Sequence, residues 1–293
     1  MRQPPSTYKS LPFFAYGVFK PGELAFFRIA PYVRCYREDT IAGRLLDRDG
    51  LPIASSSGNG IVPGYVLWFR EGQEQHAYDQ ICHLKPAAQY DWATTKPTEL
   101  RKDVVFLDGL YPEKGTVPLD HGVWTGEDDP FFTTAFHLIA EIQERVWRDG
   151  FDERASSLLR MEMAYMLLWS IIERYTSLRY NLSGNHATAK IASIASEKEY
   201  KLSLQRNAHE TRFVFHADEP WKKETLDPRF AKSSSRYYHQ VRCNMIHRGK
   251  AALDDFGTVQ KSLDELTQIV ADTINAGFEE SRSLKASLEQ RGP

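Results

Sequence analysis

The hydrophobic period of the chain changes once, at an acidic, proline-bearing segment, Gly126-Glu127-Asp128-Asp129-Pro130. Before it, residues 11–124 hold short apolar runs broken by glycine and proline: FFAYGVF, IAGRLLDRDGLPIA, IVPGYVLWF and DVVFLDG. Runs of this length, bounded by DG, NG and PG, read as strands and hairpins, with SSSGNG (Ser55–Gly60) as a turn between two of them. After it, Phe132, Phe136, Ile139 and Val146 recur at intervals of four, three and seven residues, a helical stripe. A longer helix is predicted over Asp152–Tyr175, then helices near His186–Ala195, Ser234–Arg248 and Val259–Ala276. A weakly patterned stretch, 201–230, separates the second pair from the first. Side chains alternate between faces in a strand but return every 3.6 residues in a helix, so the two periods demand two kinds of structure. The expectation is an α+β chain of two domains with its boundary at GEDDP.

Composition removes several classes. The 293 residues carry a formal net charge of -2. That excludes a broadly polybasic coat for nucleic acid, though not a local basic cleft. The apolar fraction of 42% can build cores, and six tryptophans and sixteen phenylalanines argue against disorder. Cys35, Cys82 and Cys243 are odd in number, far apart and in no CxxC pattern, so neither a disulfide framework nor a thiolate zinc site is expected. The start, MRQPPSTYKSLPFF, lacks an apolar stretch of signal-peptide length. The densest apolar run, Met163–Ile172, is too short to span a bilayer. The expected setting is cytoplasmic, with no membrane partner.

In the first half, Tyr16-Gly17-Val18-Phe19 follows a strand-like run and precedes Lys20-Pro21-Gly22. A glycine directly after a strand allows a ligand or another loop to approach the backbone closely. With the later IAGRLLDRDGLPIA and VPGYVLWF, over about 110 residues, this order resembles the gamma-glutamylcyclotransferase-like (AIG2-like) family. Tyr16, Gly17, Val18 and Phe19 stand where that family has its substrate loop. The family's chemistry uses a glutamate to move a proton while the substrate amine attacks its own gamma-carbonyl. In the matching text, YDQICHLKPAAQYDW, Cys82 stands in the glutamate's place. Tyr90 matches the family's tyrosine, and Trp92 replaces its arginine. The resemblance therefore implies a mixed β-barrel-like domain over residues 1–125 with a vestigial pocket, retained for binding a small molecule or a partner.

In the second half, YYHQVRCNMIHRGK (237–250) sits in a stretch free of acids from Arg229 to Leu253. Six basic residues lie there: Arg229, Lys232, Arg236, Arg242, Arg248 and Lys250. Histidine titrates near neutral pH and arginine suits phosphate. Together His247 and Arg242 can deprotonate a ribose 2′-hydroxyl and stabilise the charge that grows on phosphorus, without a metal or other cofactor. Residues five apart lie about 140° apart around an ideal helix, so the pair needs a bent helix end or a second copy to share a site. Asn244, three before His247, is placed to face it. The alternative is that Arg242 and His247 serve as helix-end dipole partners.

The spacing Arg242–His247 and the continuation HRGKA resemble the HEPN superfamily of helical domains, in its Apea-like branch, over 131–280. The resemblance implies an all-α bundle that pairs as a homodimer. It implies metal-independent endoribonuclease chemistry or RNA binding, in defence, toxin–antitoxin or RNA-processing settings. His247 is then base or acid, Arg242 holds the scissile phosphate, and Asn244 assists. Glu162 and Glu173 are either buried partners of arginines or orient the pair. Tyr238 supports the site or stacks on a base, and Arg236, Arg248 and Lys250 contact RNA. Residues 281–293 read as a polar tail. Two other functions stay open: cyclotransferase-like catalysis, and an inactive interaction or sensor protein.

Overall fold

The computed structural model describes residues 4–85, 88–119, 122–149, 154–180, 187–248 and 256–290; side chains 147–149, 154, 247 and 248 lie outside the description. The chain divides into two compact units. The β-rich unit holds residues 1–129 together with 178–183 and 277–293, and the helical unit holds 130–177 and 184–276.

The β-rich unit is built on one mixed sheet. Its strands are β1 (Phe13–Ala15), β2 (Val33–Ala42), β3 (Arg44–Arg48), β4 (Leu51–Ser55), β5 (Ile61–Phe69), β6 (Tyr90–Thr95), β7 (Val104–Gly109) and β8 (Val117–Pro118). Helices α1 (Phe26–Ile29) and α2 (Glu74–Leu84) complete the unit's own chain. The strand order is β2-β5-β1-β7-β4-β3-β8, with β6 on β7. Strand β7 runs parallel to both β1, at Phe13↔Val105, and β4, at Ala54↔Asp108. It is antiparallel to β6 along its whole length. Its residues Val104 to Leu107 are all buried, so both faces of this strand are covered. The DG signal forms the tight β3–β4 hairpin: Asp49 and Gly50 adopt φ of 53° and 75°, between the paired Arg48 and Leu51. Positive φ at both central positions matches the strands' right-handed twist, and Asp-Gly is the pair that tolerates it.

The helical unit contains α3 (Thr134–Asp149), α4 (Arg154–Tyr180), α5 (Ala187–Ser196), α6 (Lys198–Asn207), α7 (Ala231–Arg248) and α8 (Phe256–Glu289). Helix α4 buries one broad face, with Leu158, Met161, Tyr165, Leu168, Ile172 and Tyr175 recurring every three or four residues, while Leu159 and Met163 on another face are exposed. Two elements differ from the sequence reading. The weakly patterned stretch contains α6 and an antiparallel hairpin, β9 (Arg212–Phe215) and β10 (Lys223–Leu226), so the bundle is not purely helical. Helix α8 also passes the expected stop at Ala276 and continues through the expected tail to Glu289. Its last turns pack into the β-rich unit: Tyr36 donates to Glu289 Oε1 at 2.6 Å, and Ser281 and Leu288 are buried. The end of α4 joins the same cluster, where Arg179 pairs with Glu280 and lies 4.1 Å over the Phe27 ring.

Candidate functional site

Helix α7 carries Arg236, Tyr238, Arg242, Asn244, His247 and Arg248, six of the nine residues singled out by sequence in the second half. Arg242 is partly buried, with its Cζ 5.8 Å from the centre of the Trp169 ring and its Nη2 3.9 Å from Glu173 Oε1. Its Nε is buried with no hydrogen-bond partner among the described residues. Glu173 also lies 3.9 Å from Lys190, so one carboxylate sits between two cations. This places Glu173 beside Arg242. Glu162 lies two turns and more earlier on α4, where it lines a groove with Met163, Met166, Met245 and Ile246. His247 falls in the last turn of α7. Its side chain and that of Arg248 lie outside the described residues, as do Lys250 and the Gly249 cap signal.

Asn244 has another task. Its Oδ1 accepts from the Ala217 N–H at 3.1 Å and from Gln240 Nε2 at 2.8 Å, and its Nδ2 donates to the Phe215 carbonyl at 2.8 Å. These bonds hold the β9 end against α7. Tyr238 and Tyr237 are fully buried, so neither stacks on a base. Tyr238 donates to Glu265 Oε2 at 2.8 Å, and burial, with that carboxylate beside it, holds its phenol far above the usual range. Arg212 donates to Glu265 through both terminal nitrogens and to Tyr237 through Nε at 3.1 Å. Arg236 is exposed, with its Nε 3.5 Å from Glu224.

In the β-rich unit the Tyr16–Phe19 loop is packed from within. A Cβ on Gly17 would stand 2.4 Å from Pro52 Cγ, so the close approach this glycine permits is made by the β4 proline. Tyr16 donates to the Leu107 carbonyl at 2.6 Å, and Val18 and Phe19 are buried. Lys85, at the end of α2, directs its amine over the Tyr90 ring at 4.5 Å and the Phe19 ring at 5.7 Å. The same amine lies 3.4 Å from the Tyr90 hydroxyl, which donates to the Pro52 carbonyl at 3.0 Å. Burial lowers the Lys85 pKa to about 7. Burial also raises the Cys82 thiol, which leaves it protonated and unsuited to replace a glutamate as base. The buried carboxylate on this loop is Glu23. It accepts from the Gly126 N–H at 3.0 Å and sits 3.6 Å from Lys20.

Sequence reading missed Lys85, Glu265 and the pair His216–Glu224, which meets at 3.5 Å across the β9–β10 hairpin. A signal for the last was present on α7. Lys232, Arg236 and His239 are spaced by four and three, which puts them on one helical face. Among the described residues no three His, Cys, Asp or Glu side chains converge as a metal site, and no helix is long and apolar enough to cross a membrane.

No family model and no curated protein matches this sequence. Among solved structures the chain is similar to the uncharacterized protein PH0828 from Pyrococcus horikoshii, at 17% identity. The match covers 39% of this chain and 90% of that one, with a TM-score of 0.31, a likeness that carries no inference about fold or chemistry.

Proposed function

We propose that the helical unit is a HEPN-type RNA-binding domain that dimerises and cleaves RNA without a metal. The observation that carries this reading is Arg242, a partly buried guanidinium held beside Trp169 and Glu173 with its Nε unpartnered among the described residues. A buried donor without an acceptor is costly in the empty state and is relieved by an anionic oxygen. In this reading Arg242 holds the scissile phosphate. His247, five residues on, takes the 2′-hydroxyl proton and returns one to the leaving oxygen. Asn244 drops out, since its amide is spent on the hairpin. Arg248 and Lys250 remain candidate RNA contacts beyond the motif, and the β-rich unit is a sensor or partner-binding domain with a filled cyclotransferase-like pocket.

The dimer is supported by an apolar groove of about 940 Å³ next to the motif, lined by Leu159, Met163 and Met166 of α4 and Met245 and Ile246 of α7. Met163 is 67% exposed. An exposed apolar patch of this kind is characteristic of an interaction surface, and a second copy on it would bring two α7 ends together, which meets the 140° problem. Met163→Asp is expected to turn a dimer into a monomer by light scattering and to lower RNA cleavage at least about tenfold. A monomeric wild type, or a monomeric variant that cleaves as the wild type does, contradicts the shared-cleft reading.

A further inference from the structure

A second site lies along α7 toward its N-terminus, next to Arg242: His239 on its wall and Arg242 both pack on the Trp169 ring. A cavity of about 450 Å³ has apolar walls at Ile191 and Ala192 and charged or titratable side chains at His216, Glu224, Lys232, Arg236 and His239. Next to it is an apolar basin of about 420 Å³, lined by Ala195, Pro228 and Phe230. The two share Ala192 and Lys232, and Arg242 lines neither.

The polar groups of this cavity are incompletely satisfied. His216 Nε2 is buried with no hydrogen-bond partner among the described residues, although Glu224 Oε1 is 3.5 Å away. Glu224 Oε2 is also 3.5 Å from Arg236 Nε. One carboxylate thus stands between an imidazole and a guanidinium, hydrogen-bonded to neither in good geometry. The two cations Lys232 and Arg236 exceed the single carboxylate, so the cavity favours an anion. The neighbouring basin is mainly apolar with Lys201 and Arg229 on its wall, and Phe230 at its rim is 59% exposed. An anion-binding half joined to a half with an aromatic ring at its rim, Phe230 with Arg229 5.6 Å over it, matches a phosphate joined to a base. Glu224 supplies the acceptor that a ribose hydroxyl requires.

We infer that these joined basins bind a nucleoside monophosphate group, either free or as the 5′-phosphorylated end of an RNA, with Arg236 and Lys232 on the phosphate and Phe230 against the base. The inference does not rest on the cleavage chemistry, because it uses neither Arg242 nor His247; Arg236, an RNA contact in the sequence reading, here holds the phosphate.

Calorimetric titration of the full chain with AMP tests it. Arg236→Ala and Phe230→Ala, both changes of exposed side chains, are each expected to weaken binding at least about tenfold, and adenosine or inorganic phosphate alone to bind at least about tenfold more weakly than AMP. No AMP binding up to about 1 mM, or affinities unchanged in both variants, overturns the inference. A short RNA with a 5′-phosphate or a 5′-hydroxyl separates the sources. Tighter binding of the phosphorylated RNA than of AMP, lost in Arg236→Ala, assigns the site to an RNA end; AMP as tight or tighter assigns it to the free nucleotide.

Discussion

Glu265→Ala is expected to destabilise the helical unit by about 3–5 kcal/mol, the range for breaking a buried ion pair from one side. Glu265 is 7% exposed and accepts from both terminal nitrogens of Arg212 and from Tyr238. Tyr165 donates to the Tyr238 carbonyl at 2.9 Å, which ties α4 to the same cluster. Removing the carboxylate strands a guanidinium and a phenol in the core at once. The companion variant, Arg212→Leu with Glu265→Leu, removes both charges and is expected to recover more than half of the loss. Chemical denaturation monitored by the helical signal measures both. A single variant within about 1 kcal/mol of the wild type would show that the pair is not a structural tie.

Lys85→Met is expected to do the reverse, stabilising the β-rich unit by roughly 2–4 kcal/mol at pH 6. The amine titrates at about 7 in the folded chain against an ordinary 10.5. Below pH 7 it is charged in both states, and the full penalty for burying that charge is present. Between pH 7 and 10.5 the unfolded chain binds more protons than the folded one, so stability of the natural protein climbs with pH. The advantage of methionine therefore shrinks by most of its size, roughly 2–3 kcal/mol, between pH 6 and pH 9. Melting curves of both proteins across that range decide it. An advantage that stays constant or grows with pH would mean that Lys85 keeps its charge in the fold.

These two residues also mark where sequence reading stopped. The change of period at GEDDP was legible because it depends on local spacing alone, and the DG hairpin because two positive φ values need that dipeptide. The helical stripe on α3 and the long helix α4 were legible for the same reason. Partners joined across distant segments were not. Nothing local in EL at 265–266 announces that Glu265 meets Arg212, and Lys85 reads as a surface lysine until Tyr90 and Phe19 are folded over it. The extension of α8 was hidden by its polar composition, since its anchors, Tyr36 and Tyr65, lie some 200 residues and more away in sequence. Asn244 shows the limit of motif reading. Its place beside Arg242 and His247 invited a role in chemistry, but the folded chain uses its amide to fasten a hairpin that the sequence did not reveal.

The central claim is that the end of α7 acts on RNA. The most direct measurement is cleavage of mixed single-stranded and structured RNAs in EDTA, by the natural chain, Arg242→Ala, His247→Ala and the surface control Lys198→Ala. The account predicts metal-independent cleavage by the natural chain and the control, lowered at least about 100-fold in both motif variants while their folding is unchanged. Cleavage that persists in either motif variant, or a natural chain that neither cleaves nor binds RNA, would contradict it.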